Sequence, residues 1–262
     1  MSPLLAIEDL TVSFTQYERG LRRREVVALS GMSLAADRGE LVALVGASGA
    51  GKTLLAHAVL GMLPPNATES GVVRYDGRVL DHANRRDLAG REIVLLPQSV
   101  DYLDPLSRVG RQVTRSAQLA GHPAPQQVAA QALADRGLGP EVLRQYPHEL
   151  SGGMIRRVLV TMATMADPHL ILADEPTPGL PREDAAAVLK EFRALADAGR
   201  AVVLITHELG GAVQVADTVV ICRDGRTVET ARPADFTSGE LRDPYTRALW
   251  KALPANGFEL PC

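Results

Sequence analysis

Cysteine is nearly absent. There are two in 262 residues, Cys222 and Cys262, far apart in the chain. That leaves no disulfide framework and no Cys/His cluster with metal-ligand spacing, and it makes a reduced, cytoplasmic compartment the default expectation. Long apolar runs are missing too. The longest, Val158 to Ala166, ends at Asp167 and is too short to cross a bilayer. Any spanning would have to be done by another chain. Met1 to Leu10 carries Glu8 and Asp9 where a secretory signal needs an apolar centre. Positive charge is not in excess: the formal net charge is -3, which gives no electrostatic reason to expect a nucleic-acid partner. The short basic run Arg22-Arg-Arg24 reads as a solvated loop. No internal repeat, low-complexity linker or sustained heptad is present. What remains is 46% hydrophobic and 23% charged, suited to one large α/β domain or two small ones.

The stretch that organises the chain is Gly46-Ala-Ser-Gly-Ala-Gly-Lys-Thr53, which fits G-x-x-x-x-G-K-[ST] at every fixed position. Leu41-Val-Ala-Leu-Val45 before it has the branched, apolar look of a buried parallel strand. Leu54 to Leu60 after it has helical apolar spacing. The loop therefore has the strand–loop–helix context its chemistry needs. Gly46, Ser48, Gly49 and Gly51 belong to a backbone that can curl its N–H groups around phosphate oxygens. The helix start adds the positive end of a dipole. Lys52 brings a full charge to the terminal phosphates and Thr53 a hydroxyl for Mg²⁺.

Upstream, Ala6 to Phe14 and Val26 to Ala36 read as strands, with Ser13 and Ser33 as signs of half-exposure. Phe14 is a candidate to stack on an adenine ring, with an ordinary core role equally open and Tyr17 as second candidate. Downstream, Gly71 to Leu80 reads as a hairpin around Asp76-Gly77, and Ile93 to Leu96 as a buried strand followed by Pro97-Gln98. From Ser107 to Tyr146 the composition turns helical, with breaks at Gly121 to Pro125 and Gly137 to Pro140. This predicts a helical subdomain, about residues 103–165, inserted in the α/β core. Leu150-Ser-Gly-Gly-Met154 opens a helix running to Ala166. The apolar strand Leu170 to Ala173 ends in Asp174-Glu175. Beside a P-loop, Asp174 can hold Mg²⁺ and Glu175 can polarise a water for in-line attack. Arg182 to Ala198 reads as a helix, Ala201 to Ile205 as a strand with Thr206-His207 at its end. A second hairpin turns at Asp224-Gly225, and Asp243 to Trp250 belongs to a helical tail.

In that order, Gly46 to Thr53, Gln98, Leu150-Ser-Gly-Gly-Met154, Asp174-Glu175 and His207 resemble the nucleotide-binding subunit of an ABC transporter. The likeness covers nearly the whole chain. It implies an α/β fold: a P-loop (RecA-like) core, an antiparallel β subdomain and the inserted helices. It implies that Gln98 contacts Mg²⁺ and the attacking water, that His207 bonds the γ-phosphate and that Phe14 holds the adenine. Ser151, Gly152 and Gly153 would face the γ-phosphate of ATP bound by a second, non-identical ATPase subunit. Two permease subunits and, indirectly, an extracytoplasmic substrate-binding protein are further implied partners, which puts the chain peripherally on the cytoplasmic face of the inner membrane. Leu96-Pro-Gln-Ser, Leu103-Asp-Pro-Leu and Asp-Pro-Tyr-Thr-Arg-Ala-Leu resemble the oligopeptide, dipeptide and nickel importers. A single cysteine after Trp250 is closer to the short nickel or metal-chelate type, with the peptide type as the alternative. An exporter ATPase, or a soluble ABC protein of repair or translation, fits less well. One departure stands out: Pro181 occupies the position where the family's D-loop carries aspartate, which puts symmetric hydrolysis in question.

Overall fold

The computed structural model describes residues 2–17, 23–98 and 102–256. Arg22, Ser99 and Cys262 lie outside them. Two strands, β1 (Leu5–Tyr17) and β2 (Arg23–Ala36), run longer than their sequence pattern suggests. Arg23 and Arg24 are exposed but open β2 and pair with Tyr17 and Gln16, so that part of the basic run is strand rather than loop. Ser13 is buried, not half-exposed. It is tolerated because its hydroxyl donates to Glu25 Oε1 at 2.6 Å. The buried five-residue strand β3 (Leu41–Val45) leads into α1 (Lys52–Val59). The hairpin β4 (Ala67–Tyr75) and β5 (Arg78–Val79) follows. Asp76 and Gly77 both have positive φ, 49° and 75°, as its primed turn requires. A short helix not evident in the sequence, α2 (His82–Leu88), is capped by Asp81, whose side chain accepts from the Ala83 and Asn84 amides. Next is β6 (Ile93–Leu96).

The helical unit contains α3 (Val109–Leu119), α4 (Pro125–Ala134), two short 3₁₀ turns and α5 (Gly152–Thr164). It has its own apolar core, including Leu103, Val113, Leu133, Val142 and Val158. The chain then returns to the sheet through β7 (Leu170–Asp174), α6 (Arg182–Asp197) and β8 (Ala201–Thr206). It finishes with α7 (Leu209–Val215), the hairpin β9 (Thr218–Arg223) and β10 (Arg226–Ala231), α8 (Pro233–Ser238) and α9 (Pro244–Lys251).

Two sheets result. One is antiparallel, in the order β2-β1-β4-β5. The other runs β10-β9-β3-β8-β7-β6, parallel from β9 to β6 with only β10 antiparallel. The central strands β3 and β8 are buried along their whole length and read as continuous apolar runs, because helices cover the faces of a parallel sheet. Chain order therefore differs from sheet order, and the chain crosses over between β3 and β8.

At the end of β3 the backbone passes close to β9. A side chain at Gly46 would run into the Cys222 carbonyl and sulfur, so only glycine fits. Burial pushes the Cys222 thiol up to about 11. At pH 8 the native protein should leave Cys222 unmodified by iodoacetamide, with rapid modification once denaturant is added. Peptide mass spectrometry reads this directly, and fast labelling of native Cys222 would contradict the packing described.

Candidate nucleotide site

The parallel register brings the sequence motifs together. Val45 pairs with Thr206, Asp174 with Ile205, and Leu96 with Ala173. Four strands therefore end level on one edge. The P-loop leaves β3, Pro97-Gln98 leaves β6, Asp174-Glu175 closes β7 and His207 follows β8. A ligand in an open α/β sheet belongs at this edge, outside the carboxyl ends of the strands.

The loop is shaped by glycine. Gly49 and Gly51 have φ of 84° and 90°, a region that costs other residues about 1 kcal/mol or more. At Gly51 an added Cβ would also run into the Leu29 side chain of the antiparallel sheet. Ser48 and Gly49 are exposed at the loop tip. Lys52 is the first residue of α1 and is buried. Its Nζ donates to the Gly46 and Ala47 carbonyls at 2.8 and 3.1 Å and lies 3.6 Å from Glu175 Oε1. His207 Nδ1 lies 2.8 Å from the other oxygen of Glu175. Lys52, Glu175 and His207 thus form a continuous chain of contacts. Glu175 is buried with φ of 44°, and its amide donates to Ile205 O at 2.8 Å. A non-glycine residue in that region carries strain of about 1–3 kcal/mol, and this backbone bond to β8 helps hold it there.

Asp174 is buried beside these groups. Burial raises its carboxyl above the usual carboxylate range. A hydrogen bond from the Thr53 hydroxyl opposes that rise, nearby Glu175 adds to it, and the charges of His57 and Lys52 lower it. Asp174 Oδ1 has no hydrogen-bond partner among the described residues. A buried carboxylate oxygen left unsatisfied next to an exposed threonine hydroxyl fits an oxygen-seeking divalent cation such as Mg²⁺. Gln98 is exposed at the same edge.

The remaining predicted residues sit on other elements. Phe14, half-buried on β1, packs against the apolar cluster that joins the antiparallel sheet to α1 and includes Ala50 and Leu55. The side chain of Tyr17 lies outside the described residues. Ser151 caps α5, its hydroxyl accepting from the Met154 amide at 3.3 Å. Gly152 and Gly153 lie against Leu180 and Asp184 of the same chain. Pro181 is the N-cap of α6 and gives it no side-chain cap bond. Two features of this neighbourhood were not evident from sequence. One is the close approach of Cys222 to Gly46. The other is Arg156, whose only sequence signal is a charge among apolar helix positions.

The sequence model for the ABC transporter matches residues 29–178. The chain belongs to the ABC transporter family. It binds ATP and is an ATPase of the ATP-binding cassette type. Among curated proteins it is 35% identical to a probable peptide ABC transporter ATP-binding protein of Sinorhizobium fredii, over 96% of this chain and 77% of that one. It is 33% identical to the oligopeptide transport ATP-binding protein OppD of Bacillus subtilis, over 96% and 72%. It is also 31% identical to a glutathione import ATP-binding protein of Escherichia coli, over 97% of this chain but 42% of the relative. These place it with the ATP-binding proteins of the oligopeptide and dipeptide importer group. The fold matches a dimeric, post-hydrolysis ATP-binding cassette, MJ0796, bound to ADP and phosphate, with a TM-score of 0.73 at 24% identity over 87% of this chain and 98% of that one. It also matches cbiO1 of Clostridium perfringens, with a TM-score of 0.72 at 23% identity over 92% of each chain. Among the described residues, no helix is long and apolar enough to cross a membrane.

Lys52 holds the loop from within, so its loss should weaken nucleotide binding as well as remove a charge. Lys52→Met is expected to raise the dissociation constant for a fluorescent ATP analogue about 30-fold, in line with loss of one charge-assisted interaction. Binding within twofold of the parent would show that the ammonium does not face the phosphates.

Proposed function

We propose that this chain is the ATP-hydrolysing subunit that drives an importer for peptides. The observation that carries this reading is the set of level strand ends, with a phosphate cradle, two carboxylates and a histidine on one edge. The substrate class rests on the relatives, whose names specify peptide, oligopeptide and glutathione transport. They favour peptides over a nickel or metal-chelate cargo.

In this reading the amides of Gly46 to Gly51 and the Lys52 ammonium hold the phosphates. Thr53, Asp174 and Gln98 hold Mg²⁺, which when bound offsets phosphate charge. Glu175 accepts a proton from the attacking water. Its strained backbone and its contacts to Lys52 and His207 fix the carboxylate in place, so little reorganisation is needed at the moment of reaction. The His207 ring is exposed and makes no hydrogen bond at Nε2 among the described residues, which leaves that nitrogen to bond a γ-phosphate oxygen. Phe14 supplies an apolar wall for the adenine. Ser151, Gly152 and Gly153 stand at the positive end of α5 and complete the site held by a second, non-identical subunit. ATP favours the closed pair and hydrolysis reopens it. The helical unit passes that movement to two permease subunits at the cytoplasmic face of the membrane. An extracytoplasmic binding protein delivers the cargo.

Glu175→Gln is expected to bind ATP as the parent does while kcat falls about 10²- to 10⁴-fold, the usual share of a general base. Turnover near the parent's would remove Glu175 from that role. Pro181 leaves this chain's own catalytic side chains intact, so the asymmetry should appear between subunits. Glu→Gln here and at the matching glutamate of the second subunit should inactivate to different extents, and equal loss would argue against it. The substrate class is tested by ATPase activity of the reconstituted transporter with its binding protein loaded with short peptides or a nickel chelate. Stimulation by peptides is expected. Stimulation by the chelate alone would overturn the peptide assignment.

A further inference from the structure

Arg156 lies on α5, one helical turn beyond the glycines that open it, and is 2% exposed. Its guanidinium makes no ion pair among the described residues. Nη1 donates to the Pro97 carbonyl at 2.8 Å and Nη2 to the Gln98 carbonyl at 3.1 Å. Nε is buried without a partner. Burial alone favours the neutral form of this group. Holding a cation here without a carboxylate is costly, and an apolar side chain of similar volume would fill the space more cheaply. What the cation does, and an apolar group cannot do, is grip two successive carbonyls of one loop with charge-assisted bonds. The loop is the one that presents Gln98. Gln98's own side chain is exposed at the nucleotide edge, so the grip fixes its backbone while leaving the amide available.

We propose that Arg156 is a positioning residue that makes α5 and the loop after β6 move as one body. The start of α5 receives phosphate across the subunit interface, and Gln98 serves this chain's own nucleotide. A shift of α5 on engaging one ATP therefore resets Gln98 at the other. The link lies within a single chain and does not pass through Pro181. The inference rests on the roles given above to Gln98 and to the start of α5.

The test uses the assembled transporter carrying the full chain. Steady-state ATPase activity is measured alongside amide hydrogen exchange of the segment holding Pro97 and Gln98. Arg156→Met removes the charge, keeps volume and leaves no unpaired cation. It should lower kcat about tenfold with KM for ATP within twofold, the pattern of an interaction that acts on turnover rather than uniform binding. It should also speed exchange at that segment. Arg156→Lys can reach one carbonyl and should recover part of both. An Arg156→Met protein that is folded, by an unchanged thermal midpoint, and matches the parent in kcat and exchange would overturn the proposal. If Arg156→Met fails to fold, Arg156→Lys decides by the same readouts, parental values in both counting against the link. Gln98→Ala separates the two layers. Lowered turnover there with parental turnover in Arg156→Met refutes only the link, whereas unchanged turnover in Gln98→Ala refutes the role of Gln98 and the link with it.

Discussion

The parallel pairing of β3 with β8, β8 with β7 and β7 with β6 is the constraint on which the rest depends. A parallel ladder fixes strands end for end, so segments more than a hundred residues apart deliver their last residues to one edge. Lys52, Gln98, Glu175 and His207 meet there because their strands stop level, not because any of them attracts another. Once they meet, local forces take over. The ammonium of Lys52 draws the loop carbonyls inward, and Glu175 bridges it to His207.

The site is sensitive to its packing because its parts are buried and strained. Glu175 sits at positive φ, Asp174 keeps an unpaired oxygen, and Gly46 passes Cys222 with no room for a methyl group. The first two cost free energy. The energy comes from the apolar strands beneath, which are buried along their length and hold the edge in place. A cation at Asp174 and phosphate at the loop would relieve part of that cost, so the site is preorganised for ligand rather than at rest without it.

Much of this was legible in the sequence. The short branched runs at β3, β7 and β8 announced buried strands, and the glycines of the P-loop could serve only a tight backbone. The hairpin turns at Asp76-Gly77 and Asp224-Gly225 were readable for the same reason: few residues take positive φ twice in succession. The short helices α2, α7 and α8 were not evident, because six or seven residues carry too little periodicity to separate a helix from a loop. Ser13 looked half-exposed because its pairing with Glu25 is a cross-strand fact. The approach of Cys222 to Gly46 and the reach of Arg156 to Pro97 and Gln98 join residues that only the fold makes neighbours. Phe14 is half-buried against the apolar cluster that joins the antiparallel sheet to α1.

The central claim is that one sheet edge is the nucleotide site and that the start of α5 serves a second subunit. Amide hydrogen exchange of the full chain, with and without Mg-ATP, tests it most directly. Exchange should slow at Gly46 to Thr53 and around Asp174, Glu175 and His207 when nucleotide is added to this chain alone. It should slow at Ser151 to Gly153 only when the second ATPase subunit is also present. Slowing at Ser151 to Gly153 without that subunit, or none at the P-loop with nucleotide bound, would contradict the account.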